Sequence, residues 1–479
     1  MNCPKCFAHV PDLSLQCPIC GAALTLDGQL AVATKEERPA APAQHHPHGP
    51  PPTLEPAMEL ASHNTGSRVM VGFIAAAVLV CLAYTGWYFM KAHKPPAATW
   101  VSPPQPIPGL PSGGTSHTCT IAASGMLLCW GNSETGQLGD TIGAPTGVPC
   151  TVCTNGIFVQ LDAGDEHTCA VRNDGSVLCW GANTAGQLGT PTTTECVSGR
   201  GRVPCALLPV QAQIEHVRLV AAGANHTCAL GMDSTITCWG SNYRGQLGVA
   251  RPPVGIPTVQ LQTRDRFIAL AAGEFHTCAV AADGRAFCWG LDDLGQLGAT
   301  GIVPLCGPTP QTRVPCSPAP LPVATDVRFR SIAAGGEHTC ALDANGAAWC
   351  WGSNRVGQLG TGSHDNATTP AAVAGGKHFT ALTAGLEFTC GLDDAAAVWC
   401  WGANVTGQLG TGDSTDSAVP AHVPLPVRAL SLGSGNNHAC VVTEGNRVFC
   451  WGEGREGQLG NGSRTNTRTP TEAGVDRGR

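Results

Sequence analysis

Along most of this chain the apolar residues come in short runs rather than at the three- and four-residue spacing of a helix face. Phe158-Val159-Gln160-Leu161, Thr168-Cys169-Ala170-Val171 and Val177-Leu178-Cys179-Trp180 are each bounded by Gly, Asp or Asn. Runs this brief carry the punctuation of strands. Asp174-Gly175, between the second and third runs, predicts a hairpin turn of three residues with Gly in the left-handed position. Pairing Cys169 with Cys179 centres that hairpin on Asp174. The two sulfurs then face each other across antiparallel strands, within bridging reach.

The stretch from Cys169 to Gly189 is one of seven copies. Each has a Cys, a second Cys ten residues later, Trp-Gly directly after it, and then Gly-Gln-Leu-Gly. The tryptophans are Trp130, Trp180, Trp239, Trp289, Trp351, Trp401 and Trp451, so one unit of about fifty residues is copied and twice lengthened. Several short strands per unit, seven times over, predict an all-β, seven-bladed β-propeller closed into a ring.

These residues resemble the regulator-of-chromosome-condensation repeat family. Ala333-Ala334-Gly335-Gly336-Glu337-His338-Thr339-Cys340-Ala341-Leu342, running on to Gly357-Gln358-Leu359-Gly360, is similar to that family's repeat signature. The resemblance covers roughly residues 113 to 470 and implies seven blades. It does not by itself imply the guanine-nucleotide exchange activity of the family's nuclear founder, because propellers host many functions.

The region before the repeats divides into four. Residues 1–26 hold Cys3, Cys6, Cys17 and Cys20 as two C-x2-C knuckles ten residues apart. Four thiolates in that arrangement predict a zinc ribbon with one tetrahedral structural Zn2+ and no open coordination position. Residues 27–67 are rich in Pro, Ala and His and predict a linker without regular structure. Residues 68–91 predict a single transmembrane helix: Val69 to Met90 carries no charge, and Arg68, Lys91 and Lys94 flank it. Residues 92–112 are a second, Pro-rich linker, and the propeller occupies 113–475. A net charge of −7 argues against nucleic acid as a partner.

Two rules disagree on orientation. Two basic residues follow the span and one precedes it, which favours the propeller inside. The twenty cysteines beyond the span instead group into local pairs. Seven pairs belong to the repeat: Cys119 with Cys129, Cys169 with Cys179, Cys228 with Cys238, Cys278 with Cys288, Cys340 with Cys350, Cys390 with Cys400, and Cys440 with Cys450. Three more are Cys150 with Cys153, Cys196 with Cys205, and Cys306 with Cys316. An even set of this kind reads as disulfides in an oxidising compartment, with buried free thiols as the alternative. The expected arrangement is therefore a cell-membrane protein with its zinc ribbon in the cytoplasm and its propeller outside.

The extra pairs also mark a candidate binding rim. Val148-Pro149-Cys150, Val203-Pro204-Cys205 and Val314-Pro315-Cys316 repeat a tripeptide after three Gly-Gln-Leu-Gly motifs, so all three are expected on one face, with Arg200, Arg202 and Arg313 among them. A His stands two residues before the first repeat cysteine in six units (His117, His167, His226, His276, His338 and His438), and Phe388 stands there in the sixth. A histidine ring suits metal or pH sensing, but the Phe favours a structural hydrogen bond at a strand start. No nucleophile-elbow or phosphate-loop string is present, and the acidic residues are scattered singly through turns. The expectation is not an enzyme. It is a recognition scaffold for a protein or other extracytoplasmic ligand, the other readings being a regulator of a small GTPase and a propeller hydrolase or lyase. The first unit lacks a clear opening strand and few residues follow the last unit, so the expectation is a ring either incompletely closed or closed by a strand borrowed from one terminus, Thr471 to Val475.

Overall fold

The computed structural model describes residues 109–474, apart from 142, 200, 251–257, 302–303 and 307–312. The expected zinc ribbon, both linkers up to residue 108 and the apolar span lie outside the described residues. Every regular element among the described residues is a strand.

The strands form seven antiparallel sheets, one per repeat, each built from one continuous piece of chain. Blade two has an inner strand Phe158–Ala163, a second strand His167–Arg172, a third strand Val177–Ala182 and an outer strand Gly201–Gln211. In its hairpin Gly175 has φ 82° and closes the turn onto Arg172, as a three-residue loop with a left-handed glycine requires. Cys169 lies opposite Cys179 with Cα atoms 4.1 Å apart, and the two are bridged. That spacing belongs to a non-hydrogen-bonded pair, whose side chains approach most closely.

The other six hairpins repeat the bridge at the expected positions. Cys119 is joined to Cys129, Cys228 to Cys238 and Cys278 to Cys288. Likewise Cys340 is joined to Cys350, Cys390 to Cys400 and Cys440 to Cys450. Their Cα separations are 4.0 or 4.1 Å throughout, so the alternative of buried free thiols does not hold at these fourteen positions. Each bridge closes a loop of about eleven residues, worth about 2.5–3 kcal/mol in the chain-entropy model.

Neighbouring blades share one joint. The Trp180 indole donates to the backbone carbonyl of Gln137, in the Gly-Gln-Leu-Gly turn of the preceding blade, at 2.9 Å. The Thr168 hydroxyl donates to that same carbonyl at 3.3 Å, and His117 Nε2 meets Thr168 Oγ1 at 2.8 Å. Because the Thr proton is committed to the Gln carbonyl, Thr accepts, and the histidine proton sits on Nε2. Nδ1 is then an unprotonated nitrogen, buried without a partner in all six histidines. A Cβ on Gly164 would collide with the His167 ring, so the Gly of each Ala-Gly-x-x-His string makes room for the imidazole.

The single Phe now has a counterpart. Phe388 faces the seventh blade, where Ala439 replaces the usual Thr, and both belong to one apolar cluster. That joint exchanged a hydrogen-bonded pair for a packed one.

The ring closes through this same joint and borrows no strand. Blade one is complete, from Pro111–Gly113 through His117–Ile121 and Leu127–Gly131 to Thr146–Thr151. Its Trp130 donates to Gln458 of blade seven at 2.8 Å, and Thr118 takes His438 at 2.7 Å. The three-residue inner strand Pro-Ser-Gly escaped the sequence pattern because it is short and carries no apolar run; its backbone pairs with Thr118 to Thr120.

Burial holds His117, His226 and His338 down to about 3 and His167, His276 and His438 down to about 4, from 6.5; neighbouring His167 and His438 push His117 the same way. These imidazoles are neutral when folded and charge below about pH 6.5 when unfolded. Their contribution is therefore complete above that pH and drains away as pH falls toward 4 and then 3. Denaturant titrations should show stability dropping steeply between pH 6.5 and 4. Replacing His226 by Phe together with Thr277 by Ala should keep the fold and lower that slope by about 1.4 kcal/mol per pH unit; an unchanged slope would exclude a neutral buried His226. At Ala396 (φ 63°) and Ser234 (φ 65°) the hairpin turn lacks the glycine used in blade two. Ala396→Gly should raise stability by about 0.5–1 kcal/mol, read as a higher denaturant midpoint.

Candidate functional site

Strand direction alternates, so the turns from inner to second strand and the connections from third to outer strand emerge on one face of the ring. The hairpin turns lie on the other. Both lengthened units insert into third-to-outer connections. In blade two, Thr194–Ser198 pairs with the start of the outer strand, and a bridge from Cys196 to Cys205 staples the two with Cα atoms 5.8 Å apart. In blade four, Leu305–Cys306 pairs with Val314–Pro322, and a bridge from Cys306 to Cys316 staples them at 5.7 Å. Two bridged hairpins therefore stand on one face. Arg202 reaches Glu195 across the first at 3.7 Å, and its side chain is 76% exposed. Arg313 is exposed and stands just before the returning strand of the second, on its loop side. Arg200 lies outside the described residues.

The third tripeptide does not belong to this rim. Gly131 pairs with Thr146 in blade one, Gly181 with Ala206 in blade two and Gly290 with Ser317 in blade four. Val148-Pro149-Cys150 thus corresponds to Leu208-Pro209-Val210 and Ala319-Pro320-Leu321, inside the outer strand. The expected bridge between Cys150 and Cys153 is also absent: both are free thiols. Cys150 lies in the outer strand and Cys153 in the bend beyond its end, and the Cys150 thiol instead donates to the Cys129 carbonyl at 3.0 Å.

The seven inner strands surround an axial channel of about 400 Å³, lined largely by Ala, Gly and Leu. Asp162 interrupts this lining. The positions facing the hairpin cysteine in other blades are Ser112, Ala221, Ala271, Ala333, Thr383 and Gly433. Asp162 accepts from Ser112 Oγ at 2.7 Å and from the Ala222 amide at 2.9 Å, clamping blades one, two and three together. Burial raises it to about 6, partly offset by those bonds. Gln160 makes a second clamp through Val220 N (2.8 Å) and O (3.0 Å).

At the channel mouth, on the face that carries the stapled hairpins, Asp165 accepts from Thr115 Oγ1 at 3.0 Å and Asn436 Nδ2 at 3.2 Å. Glu274 is raised to about 7 by burial first and then by Asp165 and Glu337. Glu387 pairs with Arg355. Sequence reasoning passed over Asp162, Asp165 and Glu274. Asp162 alone left a signal, as a carboxylate inside a strand that otherwise carries no charge. The mouth carboxylates sit in turns of variable residues and meet only when the ring closes. Their geometry offers hydrogen-bond acceptors and negative potential to a ligand.

Profiles of the "Regulator of chromosome condensation (RCC1) repeat" match residues 124–171, 174–230, 283–342, 345–392, 396–442 and 446–479. The chain belongs to this repeat family. Among curated relatives it is 28% identical over 264 residues to the ultraviolet-B receptor UVR8 of Arabidopsis thaliana, covering 54% of this chain and 44% of that one. It is also 28% identical over 174 residues to the guanine nucleotide exchange factor SRM1 of Saccharomyces cerevisiae, covering 32% and 34%. The chain spans less than half the length of both. The solved structure of human WBSCR16 has the same fold, with a TM-score of 0.62 and 20% identity over 73% of this chain and 95% of that one.

Removing the blade-two staple with Cys196→Ser and Cys205→Ser should free only a peripheral hairpin. Limited proteolysis should cut near residue 200 at least tenfold faster, while the melting midpoint of the ring moves by less than about 2 °C, because the loss is local.

Proposed function

We propose that this protein is a membrane-anchored recognition propeller working in an oxidising compartment. Its stapled, carboxylate-lined face takes a protein or other extracytoplasmic ligand. The observation that carries this reading is the nine bridges within the propeller, seven of them repeated at one hairpin position. A reducing cytosol does not maintain such a set. Rigid loops on a closed scaffold bind with little ordering cost, and both stapled hairpins share a face with the carboxylates of the mouth. In this reading Val69 to Met90 is the anchor, and Cys3, Cys6, Cys17 and Cys20 hold a structural zinc on the cytoplasmic side.

A second reading is a regulator of a small GTPase, favoured by the relative named as a guanine nucleotide exchange factor. It requires the propeller to face the cytosol with reduced cysteines. Differential alkylation of protein in its native membrane separates the two. Under the first reading the repeat cysteines are blocked in pairs ten residues apart, while the four N-terminal cysteines label only after a chelator. Free labelling of the repeat cysteines, together with accelerated nucleotide release from a GTPase of the same cell, would replace the first reading by the second.

A further inference from the structure

Blade one differs from the other six at one position of its outer strand. The residue opposite the second hairpin cysteine is Val210, Val259, Leu321, Ala371, Ala421 or Thr471 in blades two to seven, and Cys150 in blade one. Cys119 lies opposite Cys129, and Cys129 opposite Cys150. Directly opposed residues of an antiparallel sheet point to the same side, so three sulfur-bearing side chains stand in a row across successive strands. Cys119 and Cys129 are bridged, and Cys150 is a free thiol packed against the apolar cluster that contains them. Its hydrogen bond to the Cys129 carbonyl draws it toward the middle strand.

We propose that this row is a thiol–disulfide exchange site, in which Cys150 displaces Cys119 from Cys129 and blade one switches between two alternative cross-strand bridges. Exchange at sulfur needs a thiolate approaching the central sulfur from the side opposite the leaving sulfur, and the strand order puts Cys150 on the side of Cys129 away from Cys119. The bond formed is Cys150 Sγ–Cys129 Sγ, and the bond broken is Cys129 Sγ–Cys119 Sγ. The electron pair leaves on Cys119, which takes up the proton that Cys150 gave up. One disulfide and one thiol stand on each side of the step, so it needs no oxidant or reductant. The freed Cys119 thiol has Thr168 Oγ1 of blade two 3.8 Å away as a partner.

The switch has a structural consequence. It moves the covalent tie from the second strand to the outer strand. The second strand carries His117 and Thr118, which form the joints to blades two and seven. Exchange therefore loosens the ring where its two ends meet. Burial, then Asp140 and Cys153, push the Cys150 thiol up to about 12, which keeps it protonated at neutral pH. The exchange should accelerate about tenfold per pH unit below that value.

The test uses the full chain without reductant at pH 7 and pH 9, with acid quenching, alkylation and peptide mass spectrometry. The expected result is a Cys129–Cys150 peptide forming about a hundredfold faster at pH 9, with Cys119 newly alkylated. Cys119→Ser, oxidised with glutathione disulfide before the assay, should show the Cys129–Cys150 bridge at both pH values. Cys150→Ala, the residue that blades five and six carry there, should fold and keep Cys119–Cys129 throughout. Persistence of Cys119–Cys129 with Cys150 alkylated at pH 9 would overturn the proposal, as would a Cys150–Cys153 bridge.

Discussion

One backbone carbonyl per blade organises this molecule. At five of the seven joints the Gln carbonyl of a Gly-Gln-Leu-Gly turn receives both a tryptophan indole and a threonine hydroxyl from the next blade, as Gln187 receives Trp239 and Thr227; Gln358 receives only Thr389, and Gln408 only Trp451. Both donors are buried, so an unmet partner on either side would carry the full cost of a desolvated polar group. The joint therefore fixes how far each blade is rotated against its neighbour. Repeated around the ring, the same rotation returns the seventh blade to the first, and closure needs no special strand.

The hairpin disulfides act within blades and the carbonyl joint acts between them. A sheet only a few strands wide has a thin core, and the cross-strand bridge stiffens its middle hairpin, where the packing tryptophan begins. The histidines add a proton-dependent element to the same joints. They are stable only as neutral, singly donating rings, and the Phe388–Ala439 joint meets the steric requirement without the proton. Asp162 works in the opposite sense: burial raises its pKa, so its ionised form is the less comfortable one inside the ring.

The features of the proposed binding face lie where the repeat is broken. Insertions are tolerated in the third-to-outer connection because it runs over the surface, outside the shared joint. Two of them carry their own bridges and rise beside a mouth whose carboxylates come from different blades. The family's propeller supplies the rigid platform, and the departures from its repeat supply the character of this chain.

The periodic features were legible in the residues alone. Blade number, hairpin register and the cross-strand cysteine pairs follow from local spacing, because each is decided within about ten residues of chain. The two rim staples were legible for the same reason. What only the tertiary structure decided depends on residues brought together from different blades. Cys150 matched the rim tripeptides in sequence, yet strand register places it five residues deeper, beside Cys129. Thr118 meets His438 and Asp165 meets Asn436 across some three hundred residues, contacts that no spacing along the chain encodes. The pairing of Phe388 with Ala439 likewise became visible only once the ring set the two side by side. Local hydrogen bonding determines a blade; the closed geometry of seven blades decides what their edges share.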